Sequence, residues 1–514
     1  MERGSWPAAL TGLALLAFFI LTIDRVPLPW NDEIYNASAV LSAVRGGGGA
    51  PTVLPPGRWE SFPRIYGPVY FRLAAALSPN DTVTAVSARL PCVLGAALIG
   101  IAAAWLALAL GSTAAWAAFA FALVLATPDL TAIATNGRVD SLAIGLQLLG
   151  LAAVAQAVRG ETSRSAAVFG VVAGSAWGAA MLTSPRVFPS LGAIALVSPG
   201  LLLLTADDRR RAFVAGAAAV ALTAVVYFSW TFSSGWGLSG HVVYLRNAAR
   251  GDWFNSPVAG ESRQWGLYLR PLVTFAVAAA TALLALLLRT DESTPSRVAR
   301  LALCAAIVTT AYWIATANHT FFHSAYFTLP MIAGALAVTP HAARPQVRRA
   351  AGAVWAIGAA AFFAVDAGKV LEAARSWRRS DPAPLQAFVK EQIPRGSIVY
   401  GPDRDYFYAV ENSGSEYRSA WLRPFPSDNL GLASQPTVVV AASKAQQYLL
   451  WPAGDPPPAD PCLRGVAVAT FHARRAPAMR VAALNRIARE QGYADTNLFV
   501  LDRRCGFSEA RAER

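Results

Sequence analysis

Long uninterrupted apolar runs constrain this chain more than any other feature of its sequence. Ala8 to Ile23, Val93 to Leu110 and Leu272 to Leu288 contain no Asp, Glu or Lys, and runs near twenty residues match the hydrocarbon core of a bilayer. The composition agrees. Of 514 residues, 55% are hydrophobic and only 15% charged, against roughly a quarter charged in ordinary globular chains. Taken in order, the runs predict about eleven membrane helices, near 8–23, 83–110, 113–127, 138–158, 166–183, 187–205, 212–234, 267–288, 301–317, 325–340 and 350–367. No Ala-x-Ala cleavage site precedes Asp24 and further spans follow, so the first run reads as a retained helix and not a removed signal peptide.

Arginine placement orients the helices. With the N-terminus in the cytoplasm, the inside loops are Arg159–Arg164, Asp207–Arg211, Arg289–Arg300 and His341–Arg349, short and arginine-rich as the positive-inside rule requires. An odd number of spans then carries everything after about Gly368 to the far side of a bacterial inner membrane. There charge and proline rise, and β-rich runs appear at Ser397–Tyr400, Thr437–Val440, Val466–Phe471 and Leu498–Leu501. The expected architecture is therefore a polytopic α-helical domain over residues 1–368 and a small extracytoplasmic α/β domain over 369–514. Cys462 and Cys505 fall in that tail, where an oxidising compartment would let them pair. The net charge of +13 is spread over short loops, without the basic stripe and interleaved aromatics that nucleic acid requires.

Three groups of residues can carry chemistry. The first outside loop, about 24–82, is long, and long loops are often functional. In it Asn31 can cap a helix that begins with Asp32 and Glu33 and repeats apolar residues at Ile34, Ala37, Leu41 and Val44 before Gly46. This predicts an amphipathic helix on the membrane surface, with an acidic pair able to take a proton from a hydroxyl acceptor. Acids also favour helix starts for the dipole alone. Second, Arg45, Arg58, Arg64 and Arg72 crowd this loop and Arg246, Arg250, Arg263 and Arg270 crowd 235–270. Such outside arginines suit a lipid phosphate or simple headgroup contact. Third, Arg89, Arg138, Asp140 and Arg186 lie at or inside predicted spans, where ionisable groups are costly and suggest a site; Arg138 and Asp140 could also satisfy one another. His319 and His323 have i,i+4 spacing but no neighbouring acid or cysteine, a weak metal signal, and no metal or other cofactor is expected.

In chain order these pieces resemble the GT-C glycosyltransferases related to protein O-mannosyltransferases and lipid A aminoarabinose transferases, which are family 39-like. Asn31-Asp32-Glu33-Ile34-Tyr35 is similar to the family's Asp-Glu before an amphipathic helix, and Tyr66-Gly67-Pro68-Val69-Tyr70-Phe71 to its Pro-Pro-Leu-Tyr-Tyr segment. Ala88-Arg89-Leu90-Pro91 is similar to its Ala-Arg-Leu-Pro, and Gly137-Arg138-Val139-Asp140 to its Arg-x-Asp. The match covers roughly residues 1–190, the remainder agreeing in layout. The resemblance implies Asp32 as general base, Glu33 in support, and arginines on the donor phosphate, for which Arg64, Arg89, Arg138, Arg186 and Arg246 are the candidates. Tyr35, Tyr66, Tyr70, Asp140, His319 and His323 would line the substrate site. The chain departs from the family where Ile65, Tyr66 and Gly67 stand in place of a lysine or acid, and where Ser184-Pro185-Arg186 replaces a lysine.

A polyprenyl-phosphate sugar already carries a stable anionic leaving group, so one carboxylate and several arginines suffice for inverting displacement on an extracytoplasmic acceptor. No nucleotide-phosphate loop or Rossmann-type unit is evident. A transporter or flippase predicts internal repeats and paired broken helices, which the sequence lacks; a non-catalytic scaffold would keep the fold without needing Asp32.

Overall fold

The structure is a computed structural model. It describes residues 6–29, 31–46, 52–53, 66–79, 81–234, 293–315, 324–342, 344–402, 406–419, 445–457, 463, 465–474 and 492–501, with three isolated positions between 235 and 292. Along the first half run α1 (Trp6–Thr22), α2 (Asn31–Val44), α3 (Val69–Ala76), α4 (Ala85–Ala109), α5 (Ala114–Leu125), the short α6 (Pro128–Ile133), α7 (Asp140–Arg159) and α8 (Ser163–Met181). They are followed by α9 (Phe188–Val197), α10 (Ala206–Ser234), α11 (Thr294–Ala315), α12 (Ala325–Val338) and α13 (Pro345–Ser376). A helix lies on each expected span except 267–288, where only two isolated positions are described. Among the described residues, five stretches are long and apolar enough to cross a membrane, Ala85–Ala109, Asp140–Arg159, Pro185–Leu203, Ala206–Ser234 and Pro345–Ser376; α1 and α5 are apolar but shorter.

Small residues set the packing. Gly95 and Gly145 bring α4 and α7 together so closely that a methyl on Gly95 would stand 2.3 Å from the Leu142 backbone. Acids inside the bundle find donors, since bare charge is costly there: Asp129 accepts from Thr328 at 2.6 Å and Asp366 from Thr131 at 3.2 Å.

Beyond α13 come α14 (Ala383–Gln392), β1 (Ile398–Gly401), α15 (Phe407–Glu411), β2 (Glu416–Ser419), β3 (Gln447–Pro452), β4 (Ala469–Phe471) and β5 (Thr496–Val500). The strands form one mixed sheet in the order β2-β1-β3-β5-β4. β1 is parallel to β2 and β3, and β5 is antiparallel to β3 and β4. β3 is buried along its whole length, as a central strand should be. The run expected at 437–440 and the cysteines Cys462 and Cys505 lie outside the described residues.

One expectation is corrected. α2 does not lie open on a surface: Ile34, Ala37, Ala39, Val40 and Leu41 are fully buried, in a cluster that also takes Tyr70 of α3 and Phe407 and Val410 of α15. The reason is in its composition. Interfacial helices carry Lys or Arg along the polar face, whereas Asn31–Val44 has neither, and its alanines and serines let neighbours approach.

Candidate active site

Consecutive residues on a helix point about 100° apart, and the first turn of α2 uses this to send its two acids to different places. Glu33 turns inward. Its carboxylate meets Arg89 of α4 fork to fork, Nε to Oε1 and Nη2 to Oε2 both at 2.8 Å, with both side chains at 0% exposure. Arg89 Nη1 donates to the Ile23 carbonyl at 2.9 Å, and the Tyr408 hydroxyl donates to Glu33 Oε1 at 2.9 Å. Burial and then the charge of Glu33 hold the Tyr408 phenol well above its ordinary pKa, so it remains an O–H donor.

Asp32 turns outward, its side chain 40% exposed, and Arg138 Nη1 reaches its Oδ2 at 2.6 Å. Arg138 comes from a turn at Gly137, whose φ of +64° suits glycine. The Gly137 carbonyl accepts from Asn36 at 3.0 Å and from Tyr70 at 2.9 Å, tying the turn to α2 and α3. Arg138 Nε donates to Asp140 Oδ2 at 2.6 Å, and Arg186 Nη1 donates to Asp140 Oδ1 at 3.1 Å. Arg186 enters on the Ser184-Pro185-Arg186 break, where Ser184 caps a 3-10 turn. Its Nη2 lies 3.3 Å from the Tyr66 hydroxyl and its guanidinium sits over the Tyr66 ring at 5.6 Å. From α12, Tyr326 donates to Asp140 Oδ1 at 2.8 Å, with Ser184 Oγ 3.0 Å away.

The result is a chain of groups, Asp32, Arg138, Asp140, Arg186 and Tyr66, drawn from four separate segments. Asp140 is fully buried and both arginine side chains are nearly so, at 5% and 6% exposure, while Asp32 opens outward. Two aspartates balance two arginines, so this part of the site is formally neutral. Buried charge is tolerated only when paired in this way.

Several expected site residues thus come together: Asp32, Tyr66, Arg138, Asp140 and Arg186 in one network, and Glu33, Arg89 and Tyr70 in the buried layer behind it. Arg89, expected on the donor phosphate, has its guanidinium committed to Glu33 and the Ile23 carbonyl. Tyr35 is half-buried against the α2–α3 cluster. Arg64, Arg246, His319 and His323 lie outside the described residues. Tyr326, Tyr408, Ser184 and Gly137 are added by the structure.

No protein-family model matches the sequence, and no curated protein matches it. Among solved structures, ArnT from Cupriavidus metallidurans bound to undecaprenyl phosphate superposes with a TM-score of 0.54 at 14% identity, over 86% of this chain and 92% of that one. The Archaeoglobus fulgidus oligosaccharyltransferase in complex with Zn and sulfate gives 0.45 at 16% identity, over 88% of this chain and 68% of that one. The likeness to ArnT extends over most of both chains and is one of fold: this multi-pass chain has the GT-C fold.

Proposed function

We propose that the chain is a membrane glycosyltransferase that moves a sugar from a polyprenyl-phosphate carrier to a hydroxyl acceptor outside the cytoplasm. The observation that carries this reading is Asp32: it is the half-open carboxylate of a network whose other acid is fully buried, and Arg138 fixes its direction. In the reaction the acceptor oxygen attacks the anomeric carbon from the Asp32 side and passes its proton to Asp32. The bond from that carbon to the phosphate oxygen breaks, and its electron pair leaves with the polyprenyl phosphate. The leaving group gains one negative charge, which guanidinium donors stabilise more than they stabilise the bound donor.

Arg138 and Arg186 are the cations of the described site. Because two aspartates already balance them, the phosphate needs further positive charge, and Arg64 and Arg246 of the outside loops are the residues to supply it. Glu33 and Arg89 serve as the frame behind the base. The orientation fits an inner-membrane enzyme whose C-terminal domain faces the acceptor and contributes to its choice.

The test is transfer of radiolabelled sugar from a panel of polyprenyl-phosphate sugars by the purified protein in detergent, with a crude cell-envelope acceptor. Wild type should transfer or slowly hydrolyse one donor, and Asp32→Asn should abolish it. Activity surviving in Asp32→Asn would remove Asp32 as base; no consumption of any donor by wild type would remove the enzyme reading.

A further inference from the structure

One short helix of the C-terminal domain, α15, reaches the candidate site. α15 grips α2 at two points. Tyr408 donates to Glu33 Oε1 at 2.9 Å near the start of α2, and Glu411 pairs at 3.0 Å with Arg45, just past its end. Between them Phe407 and Val410 fill the same buried cluster as Ile34, Ala37 and Leu41. Glu33 already has both oxygens on Arg89, so the Tyr408 hydroxyl is an additional constraint, arriving from 375 positions away. Glu33 is the neighbour of Asp32 on the same turn. A contact that fixes the rotation of α2 at Glu33 therefore fixes the direction of Asp32.

We propose that the C-terminal domain is part of the catalytic unit and that Tyr408 is a positioning residue, holding Glu33, and through α2 Asp32, in line with Arg138. This rests on the reading of Asp32 as the base. A purely structural contact would hold the domain in place without setting the reactivity of Asp32.

The experiment uses the full chain in detergent and Tyr408→Phe, which keeps the ring and removes only the hydroxyl. Hydrogen exchange is followed in peptides of α2 and α4, and transfer kinetics are measured beside Asp32→Asn, Glu33→Gln and the Glu33→Gln/Tyr408→Phe pair. Exchange in α2 should rise several-fold while α4 is unchanged. Turnover should fall about ten-fold with the donor KM within about two-fold. The double variant should be no worse than Glu33→Gln alone. Unchanged α2 exchange overturns the proposal, as does full turnover in Tyr408→Phe. Additive losses overturn the route through Glu33. Wild type inactive on every donor while α2 still loosens in Tyr408→Phe would sink the assignment of the base and leave the coupling of domain to helix standing.

Discussion

Arg138 Nη1 and Asp32 Oδ2 meet at 2.6 Å although 106 positions separate them in sequence. The same guanidinium holds Asp140 through Nε, also at 2.6 Å, so one rigid fork fixes the angle between an open acid and a buried one. Lysine keeps the charge but offers no planar fork. Arg138→Lys should therefore lower turnover by about 10²-fold, in the range found when a preorganised donor is lost. The donor KM should move less. A transfer assay over a range of donor concentrations separates the two, and turnover close to wild type would show that charge alone suffices.

The buried pair of Glu33 and Arg89 makes a different prediction, on stability. Removing one partner of such a pair leaves an uncompensated charge and costs about 3–5 kcal/mol. Arg89→Met should lower the thermal midpoint in detergent sharply, whereas Glu33→Gln/Arg89→Met should recover a clear part of the loss. Equal midpoints for the single and double variants would mean that Arg89 acts by its bulk and not by its charge.

Arg138, Asp140 and Arg186 stand out in the sequence because charge at or inside apolar runs is costly, and Asp32 and Glu33 because they open a helix in a long outside loop. Their partners do not. Arg89 stands out as Arg138 does, but spacing along the chain does not say that Glu33, 56 positions away, takes its guanidinium. Tyr326 sits in the uncharged Ser324-Ala325-Tyr326-Phe327 stretch and Tyr408 in a remote domain, so no local pattern marks either. In the tail, Tyr448–Pro452 is a continuous run of aromatic and apolar residues, and such runs do not separate strand from helix by period. Burial of α2 was missed because its pattern registers one apolar stripe, whereas small residues let a second side be covered as well.

A pH dependence follows from Glu411. Burial pushes its carboxyl up from the ordinary 4.5 to about 7, against the pull of the Tyr417 N–H and Arg45. The folded state thus holds a proton that the unfolded chain has released. Stability from this group is fully present below about pH 4.5 and is lost as pH rises through about 7. Glu411→Gln removes the ionisation and should flatten that part of the profile. Thermal midpoints at about pH 5 and pH 8 check it: the wild type should lose more than the variant between them, and parallel profiles would count against a raised Glu411.

Two glycines separate backbone strain from crowding at the site. Gly46 ends α2 with φ +78° and has nothing within 4 Å of an added Cβ; Gly137 has φ +64°, but its Cβ would stand 2.4 Å from Glu33 Cγ. An L-residue in this conformation costs roughly 1–2 kcal/mol by itself, and forcing a methyl into a packed site adds about 1–3 kcal/mol. Gly46→Ala should therefore lose only the smaller amount and keep its transfer activity. Gly137→Ala should lose both and also displace Glu33, and with it the turn that presents Arg138 to Asp32, so activity should fall further than stability alone explains. Denaturation and transfer assays on the two variants decide it: equal losses in both would mean that the Gly137 turn yields to the methyl without moving the acids it joins.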